Sequence, residues 1–187
     1  LSLSSCQNCL PFISSFNGKE DCLYYGRLLN EGMEWYLSDR KHAQDKRLRK
    51  IPELQDALKD HIVCFTIIGR EEPLAEVQRL IKDNYNDLVE LHLIENQYSP
   101  GWYWLTVHDY RATKDQGIKM VLDRLSFSPK GLTVFGDNSN DIKMFKLAGK
   151  AIAVNNATTE LKDYASEIIG SNEEDSVIKY IVRECSL

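Results

Sequence analysis

The second half of the sequence alternates in a way that leaves few folds open. Lys114 to Leu125 places Ile118, Val121, Leu122 and Leu125 at helical spacing, and Leu132 to Phe135 is a short apolar run that ends at Gly136-Asp137. Asp141 to Leu147 has a helical pattern, Ala151 to Val154 is again apolar, and Thr158 to Ala165 is helical. Glu167 to Ile169 is a third short run, and Glu173 to Arg183 reads as the final helix. Strands that alternate with helices through short loops build a parallel sheet with right-handed crossovers. The expected fold class is α/β, with strands apolar enough to be covered on both faces.

Residues 11–108 read differently. Pro11 to Ser15 and Cys22 to Tyr25 flank Asn17-Gly18, a hairpin-turn dipeptide. His61 to Gly69 is a dense β-branched and aromatic run, expected as a buried strand. Glu71, Glu72 and Pro73 open a helix with Leu74, Val77 and Ile81 on one stripe. Leu88 to Ile94 and Trp102 to Val107 alternate like half-buried strands on either side of Ser99-Pro100-Gly101. A small sheet with helices on one face is expected. The charged stretch from Asp39 to Lys50 is read as a solvated helix face or loop, because Asp39 and Asp45 interrupt its positive charge. Trp102 and Trp104 fall on the same face of one strand and are read as core packing, with sugar stacking as the alternative. The rhythm changes near residues 108–113, which predicts two units, 1–110 and 111–187.

Composition narrows the function. The 187 residues are 43% hydrophobic and 27% charged, as in a soluble globular protein. A chain of this length buries roughly 70% of its unfolded surface and needs no staple. Its net charge of −5 makes it a poor general binder of nucleic acid. No apolar run reaches membrane-spanning length and no charged-then-apolar leader opens the chain, so neither membrane contact nor export is expected. Five cysteines, an odd number, point to reduced thiols and a cytoplasmic setting. Cys6-Gln7-Asn8-Cys9 lacks the second ligand pair that a closed zinc site requires and is read as two incidental thiols. His42, His61, His92 and His108 show no zinc spacing, and no GxSxG, GxxxxGK[ST] or HExxH motif is present.

The most informative stretch runs from Leu132 through Asp137 and Asp141 to Phe145. A strand that ends at Asp137 delivers its carboxylate to the edge where open α/β sheets bind ligands. Gly136 lets the backbone turn close to a ligand. Asn138, Ser139 and Asn140 open the next helix, and Asp141 brings a second carboxylate across the turn. Hard oxygen ligands at a strand end suit Mg²⁺, which binds one or two carboxylates and completes its shell with water and phosphate. A purely structural reading makes Asp137 a turn residue and Asp141 a helix-start carboxylate.

Gly136 to Phe145 resembles the fourth motif, GDxxNDxxM, of the haloacid dehalogenase superfamily, in particular its Cof-type phosphatases. Lys114-Asp115-Gln116-Gly117-Ile118 resembles the third motif, a lysine opening the helix before the GD strand. Asn156-Ala157 and Ser171 to Val177 resemble the closing run, with Ser176 where the family has glycine. Residues 11–108 resemble the inserted α/β cap. The resemblance implies a parallel, Rossmann-like core with a cap domain, the core incomplete in this chain. It further implies an Mg²⁺-dependent phosphatase of phosphorylated small metabolites, sugar phosphates among them, working through an aspartyl-phosphate. By that resemblance Lys114 is the catalytic lysine that holds nucleophile and phosphate, Asp137 and Asp141 serve the metal, and Asn140 orients phosphate or ligand water.

The family's first motif, DxDxT/V, has no counterpart, since no aspartate here has another two positions on. The second motif is also without a convincing match. The nucleophile is therefore expected outside the chain, which begins at Leu1 and reads as the cap plus the C-terminal half of the core. Completion of the sheet by an N-terminal segment or a second copy is the expected partnership. The competing reading is a non-catalytic fragment or pseudoenzyme acting as a binding module. A P-type ATPase domain is disfavoured, because Met144-Phe145 stand where Ala-Pro is expected.

Overall fold

Asn17 and Gly18 reverse the chain by their own chemistry. Asn17 Oδ1 accepts the N–H groups of Lys19 and Glu20 at 3.0 Å each, and Gly18 takes φ +92°, a region open to glycine without steric cost. The turn joins β1 (Pro11–Phe16) to β2 (Asp21–Tyr25) as an antiparallel hairpin. The computed structural model, which describes residues 9–185, continues with α1 (Glu31–His42), β3 (Leu48–Lys50) and a 3-10 turn (Leu54–Lys59). β4 (His61–Gly69), α2 (Glu71–Tyr85), β5 (Val89–Glu95) and β6 (Tyr103–Asp109) complete this part. Its strands form one sheet in the order β3-β2-β1-β4-β6-β5, antiparallel except for β2 with β3. The chain divides after Arg111 into two compact units, and this sheet belongs to the first.

Helices cover both faces of that sheet, which corrects the expectation of one. Ile67 of β4 stands opposite Leu105 of β6 and packs with Leu74 and Val77 of α2. The neighbouring pair, Ile68 and Trp104, points the other way and packs with Phe12, Leu23, and Met33 and Leu37 of α1. Leu74 and Leu105 are fully buried, each worth about 1.5–3 kcal/mol relative to exposure. α1 is held from outside itself. Asn30 caps it, with Oδ1 accepting the Met33 N–H at 2.9 Å, while Nδ2 donates to the Ile68 carbonyl of β4 at 3.0 Å. Gly32 lies against Trp102, where a Cβ would come within 2.5 Å of the indole. Trp102 also lies under the Arg70 guanidinium, 3.9 Å from its ring centroid, so it packs inside the unit. Of the Cys6–Cys9 pair, Cys6 lies outside the described residues and Cys9 is buried beside Ile67 and Leu74.

The charged stretch spans the end of α1, a turn and β3. In the turn, Asp45 receives Arg47 N–H, Nε and Nη2 at 3.0, 2.9 and 2.7 Å. The guanidinium holds the Asp45 carboxyl at about 2, below its ordinary value of 3.8. The folded-state value is the lower one, so the bond stabilises fully above the ordinary value and is lost as pH falls towards about 2. Because Arg47 is 43% exposed, solvent screening reduces the contribution to about 1 kcal/mol. Asp45→Asn is expected to cost that amount at neutral pH and only a small part of it at pH 2. Urea unfolding at the two pH values checks it, and an equal loss at both would refute the assignment.

The second unit contains α3 (Lys114–Leu125), β7 (Thr133–Gly136), a 3-10 turn (Ser139–Asp141) and α4 (Ile142–Leu147). β8 (Lys150–Val154), α5 (Thr159–Lys162), β9 (Glu167–Ile169) and α6 (Ser176–Cys185) follow. The sheet runs β7-β8-β9, all parallel, as the alternation predicts. Val134, Ala151 and Ala153 pack with Met144 and Phe145 of α4. The opposite pleat carries Phe135, whose ring meets Tyr180 of α6 edge-on at 5.5 Å. α3 buries a narrower stripe than its periodicity predicts. Leu122 is buried, but Val121 and Leu125 are 57% and 54% exposed. Among the described residues no helix is long and apolar enough to cross a membrane.

Candidate functional site

The turn after β7 is built around one buried carboxylate. Asp141 is 1% exposed, and its Oδ2 accepts the N–H groups of Asp137 at 3.1 Å and Asn138 at 3.4 Å. Asn138 returns its own side chain to the turn, which makes Asn138-Ser139-Asn140-Asp141 a reciprocal capping box. The other oxygen, Oδ1, accepts Lys114 Nζ at 2.5 Å. Lys114 opens α3, so a residue 27 positions upstream is fixed to the turn by a charge-assisted bond. Its side chain remains 52% exposed, open to solvent.

Gly136 is required by this packing. A Cβ there would fall 2.8 Å from both Cβ and Oδ2 of Asp141, closer than the carboxylate could stay without shifting. The Asp137 carbonyl accepts the Thr158 N–H at 2.9 Å, and Thr158 Oγ1 in turn caps α5 by accepting from Leu161 N at 3.4 Å. The turn is thus tied to the crossover that follows β8. The Asp137 residue itself is exposed at the strand end. Asn140 Oδ1 is buried with no hydrogen-bond partner, a condition that costs about 1–3 kcal/mol in a settled fold and marks an acceptor left for something else.

Of the residues singled out in the sequence, Lys114 and Asp141 meet directly, and Asp137 and Asn140 belong to the same turn. Among the described residues no three His, Cys, Asp or Glu side chains gather as a ready-made metal cage. The sequence reading missed the reciprocal cap, although Asn-x-x-Asp before an apolar helix is a signal for it. It also missed Asp115, which is buried beside Lys114. Burial pushes its carboxyl up, but the Thr113 hydroxyl at 2.7 Å and Lys119 Nζ at 3.1 Å outweigh this, and the value ends lowered. Thr113 and Lys119 thereby fix the first turn of α3 from which Lys114 projects.

A parallel sheet that presents an acidic turn at a strand's carboxyl end, with a lysine from the preceding helix pinned to it, has the layout of a ligand site in an open α/β fold. Over residues 11–181 the sequence matches the haloacid dehalogenase-like hydrolases, and the chain belongs to that family. The expected Cof-type affiliation is borne out. A Haemophilus influenzae protein whose name places it among phosphatases is 26% identical over 186 residues, 91% of this chain and 68% of its own. The 5-amino-6-(5-phospho-D-ribitylamino)uracil phosphatase of Bacillus subtilis is 21% identical over 73% of this chain and 49% of its own. A haloacid dehalogenase subclass IIB sugar phosphatase of known structure superposes with a TM-score of 0.71 at 18% identity, over 100% of this chain and 64% of its own. At that identity the likeness establishes the fold alone. The chain therefore spans between 49% and 68% of these relatives' own lengths.

Proposed function

We propose that the protein containing this chain hydrolyses phosphate monoesters of small metabolites, sugar phosphates included, with Mg²⁺. The observation that carries the reading is Lys114 Nζ at 2.5 Å from Asp141 Oδ1, in the turn that exposes Asp137. One ammonium hydrogen is committed to Asp141, which leaves two donors to meet phosphoryl oxygens. Charge held in place this way favours the state in which negative charge builds on those oxygens. The donor set fits Mg²⁺ in kind: Asp137 offers a hard carboxylate at the strand end and Asn140 a buried amide oxygen that no donor satisfies. Asp141, with both oxygens engaged, would serve the ion through water. When bound, the ion would neutralise the transferring group's charge. The nucleophile of the aspartyl-phosphate route would come from outside residues 1–187.

In this reading residues 1–110 are the α/β cap domain and residues 111–187 the C-terminal half of the core. β7 is an end strand among the described residues, so a further core segment or a second copy would pair with it. The free thiols of Cys22, Cys64 and Cys185 support a reducing, cytoplasmic setting. A second reading, a non-catalytic binding module, draws on one observation, the absence of any Asp-x-Asp triplet.

Turnover of p-nitrophenyl phosphate separates the two. Chain 1–187 by itself is expected to show none, whereas the complete protein should show Mg²⁺-dependent turnover that Lys114→Ala lowers about 10²–10³-fold. An inactive complete protein would favour the binding module. Activity of the bare chain would mean that the nucleophile has been misplaced.

A further inference from the structure

The first unit holds a cleft that the proposed phosphatase chemistry does not use. It has a volume of about 620 Å³ and opens between α1 and the β5–β6 hairpin, within the range of about 300–1,000 Å³ typical of small-molecule sites. Ile94 and Trp104, directly opposed across the two strands, form its floor. Trp35 of α1 stands edge-to-face with Trp104, ring centroids 6.0 Å apart and planes at 85°, so two indoles corner the space at a right angle. Tyr98, 82% exposed on the hairpin, also lines the cleft.

The polar rim narrows the chemistry. Arg40 Nε is buried and has no hydrogen-bond partner, while Asp39 Oδ2 stands 4.0 Å from it, too far for a hydrogen bond. A group placed between them must accept from the guanidinium and donate to the carboxylate at once, which a hydroxyl does. Asp39 and Glu95 together outweigh Arg40, so the lining is net negative and disfavours phosphorylated or carboxylated ligands. Arg40 beside Asp39 presents a donor and an acceptor side by side, which a hydroxyl matches better than a group of single charge. The lining thus suits a neutral molecule with one apolar face for the indoles and a hydroxyl-bearing edge for the rim.

We propose that this cleft binds a neutral saccharide, with the C–H face of a pyranose laid on the Trp35–Trp104 corner and one hydroxyl bridging the partly exposed Arg40 guanidinium and Asp39. Ring C–H bonds carry slight positive charge and the aromatic face is negative, so the contact is attractive as well as apolar. The site is independent of Lys114, Asp137 and Asp141, and its failure would leave the phosphatase reading untouched.

The test is ¹H–¹⁵N NMR of the whole chain titrated with glucose, mannose, galactose and maltotriose, with glucose 6-phosphate and adenosine as comparisons. At least one neutral saccharide should shift the indole N–H signals of Trp35 and Trp104 saturably, with a Kd of about 1 mM or below. The signal of Trp102, packed between Gly32 and Arg70, should stay in place. Tyr98→Ala removes only an exposed ring and should weaken binding tenfold or more, as should Trp35→Ala where the spectrum shows the fold retained. Lack of saturation by every neutral saccharide would overturn the proposal, as would binding that Tyr98→Ala leaves unchanged. Tighter binding of adenosine or glucose 6-phosphate at the same indoles would overturn it too, by assigning the cleft to another class of ligand.

Discussion

Asp141→Ala is expected to destabilise the second unit by about 3 kcal/mol, more than any other single change in the turn. The carboxylate is buried and gathers three donors: Lys114 Nζ, Asp137 N–H and Asn138 N–H. Alanine leaves both amides without an acceptor and dissolves the reciprocal cap. Lys114 contributes the smaller share, because its half-exposed side chain can return to water. Asp141→Asn keeps one acceptor oxygen and should cost about half as much. The two units need not unfold together, so the measurement is hydrogen exchange in β7 and α4 rather than a single melting curve. A loss below about 1 kcal/mol for the alanine variant would show that the carboxylate is not the turn's organising group.

The second large effect concerns the metal. Mg²⁺ at a hundredfold excess over its Kd should stabilise the complete protein by about 2.7 kcal/mol. Asp137→Asn should remove most of that gain. The side chain is exposed, so the metal-free stability should move by no more than about 0.5 kcal/mol. That contrast separates the two aspartates: Asp141 loses stability without metal, and Asp137 loses only the response to metal. A Mg²⁺-dependent melting shift that survives Asp137→Asn would remove Asp137 from the ion's ligands.

The elements legible in the sequence were those whose periodicity and burial agree. α2 carries Leu74, Val77 and Ile81 on one stripe, and β4, β7 and β8 are mostly apolar and β-branched or small, so pattern alone marked them. α1 escaped notice because Gly32 interrupts its first turn and half of it is charged. Its position is set by Asn30 bonding to β4 and by Trp102 lying on Gly32, contacts from distant parts of the chain. β3 has only three residues and exists through parallel pairing to β2, which no local pattern encodes. Missing α1 produced the one-faced sheet. On α3 the periodicity was right but over-read, since helical spacing places Val121 and Leu125 on the flank of the stripe and says nothing about what packs there. In the candidate site, Asp137 and Asp141 stood out by chemistry at a strand end. Lys114 stood out only by family resemblance, because a lysine at a helix start is ordinary until its partner is known.

The Thr158 N–H that meets the Asp137 carbonyl carries a consequence for how the turn keeps its shape. From one side α3 holds it by an ion pair, and from the other the cap residue of α5 holds it by the backbone. A strand end gripped from both neighbouring crossovers cannot swing on either one alone, so Asp137 starts close to a single pose and spends little entropy when something binds. The stiffness at this position is therefore borrowed. Loosening α5 around Thr158, 21 positions from Asp137 and without touching any candidate ligand, would blur the geometry at Asp137 as surely as a change beside it.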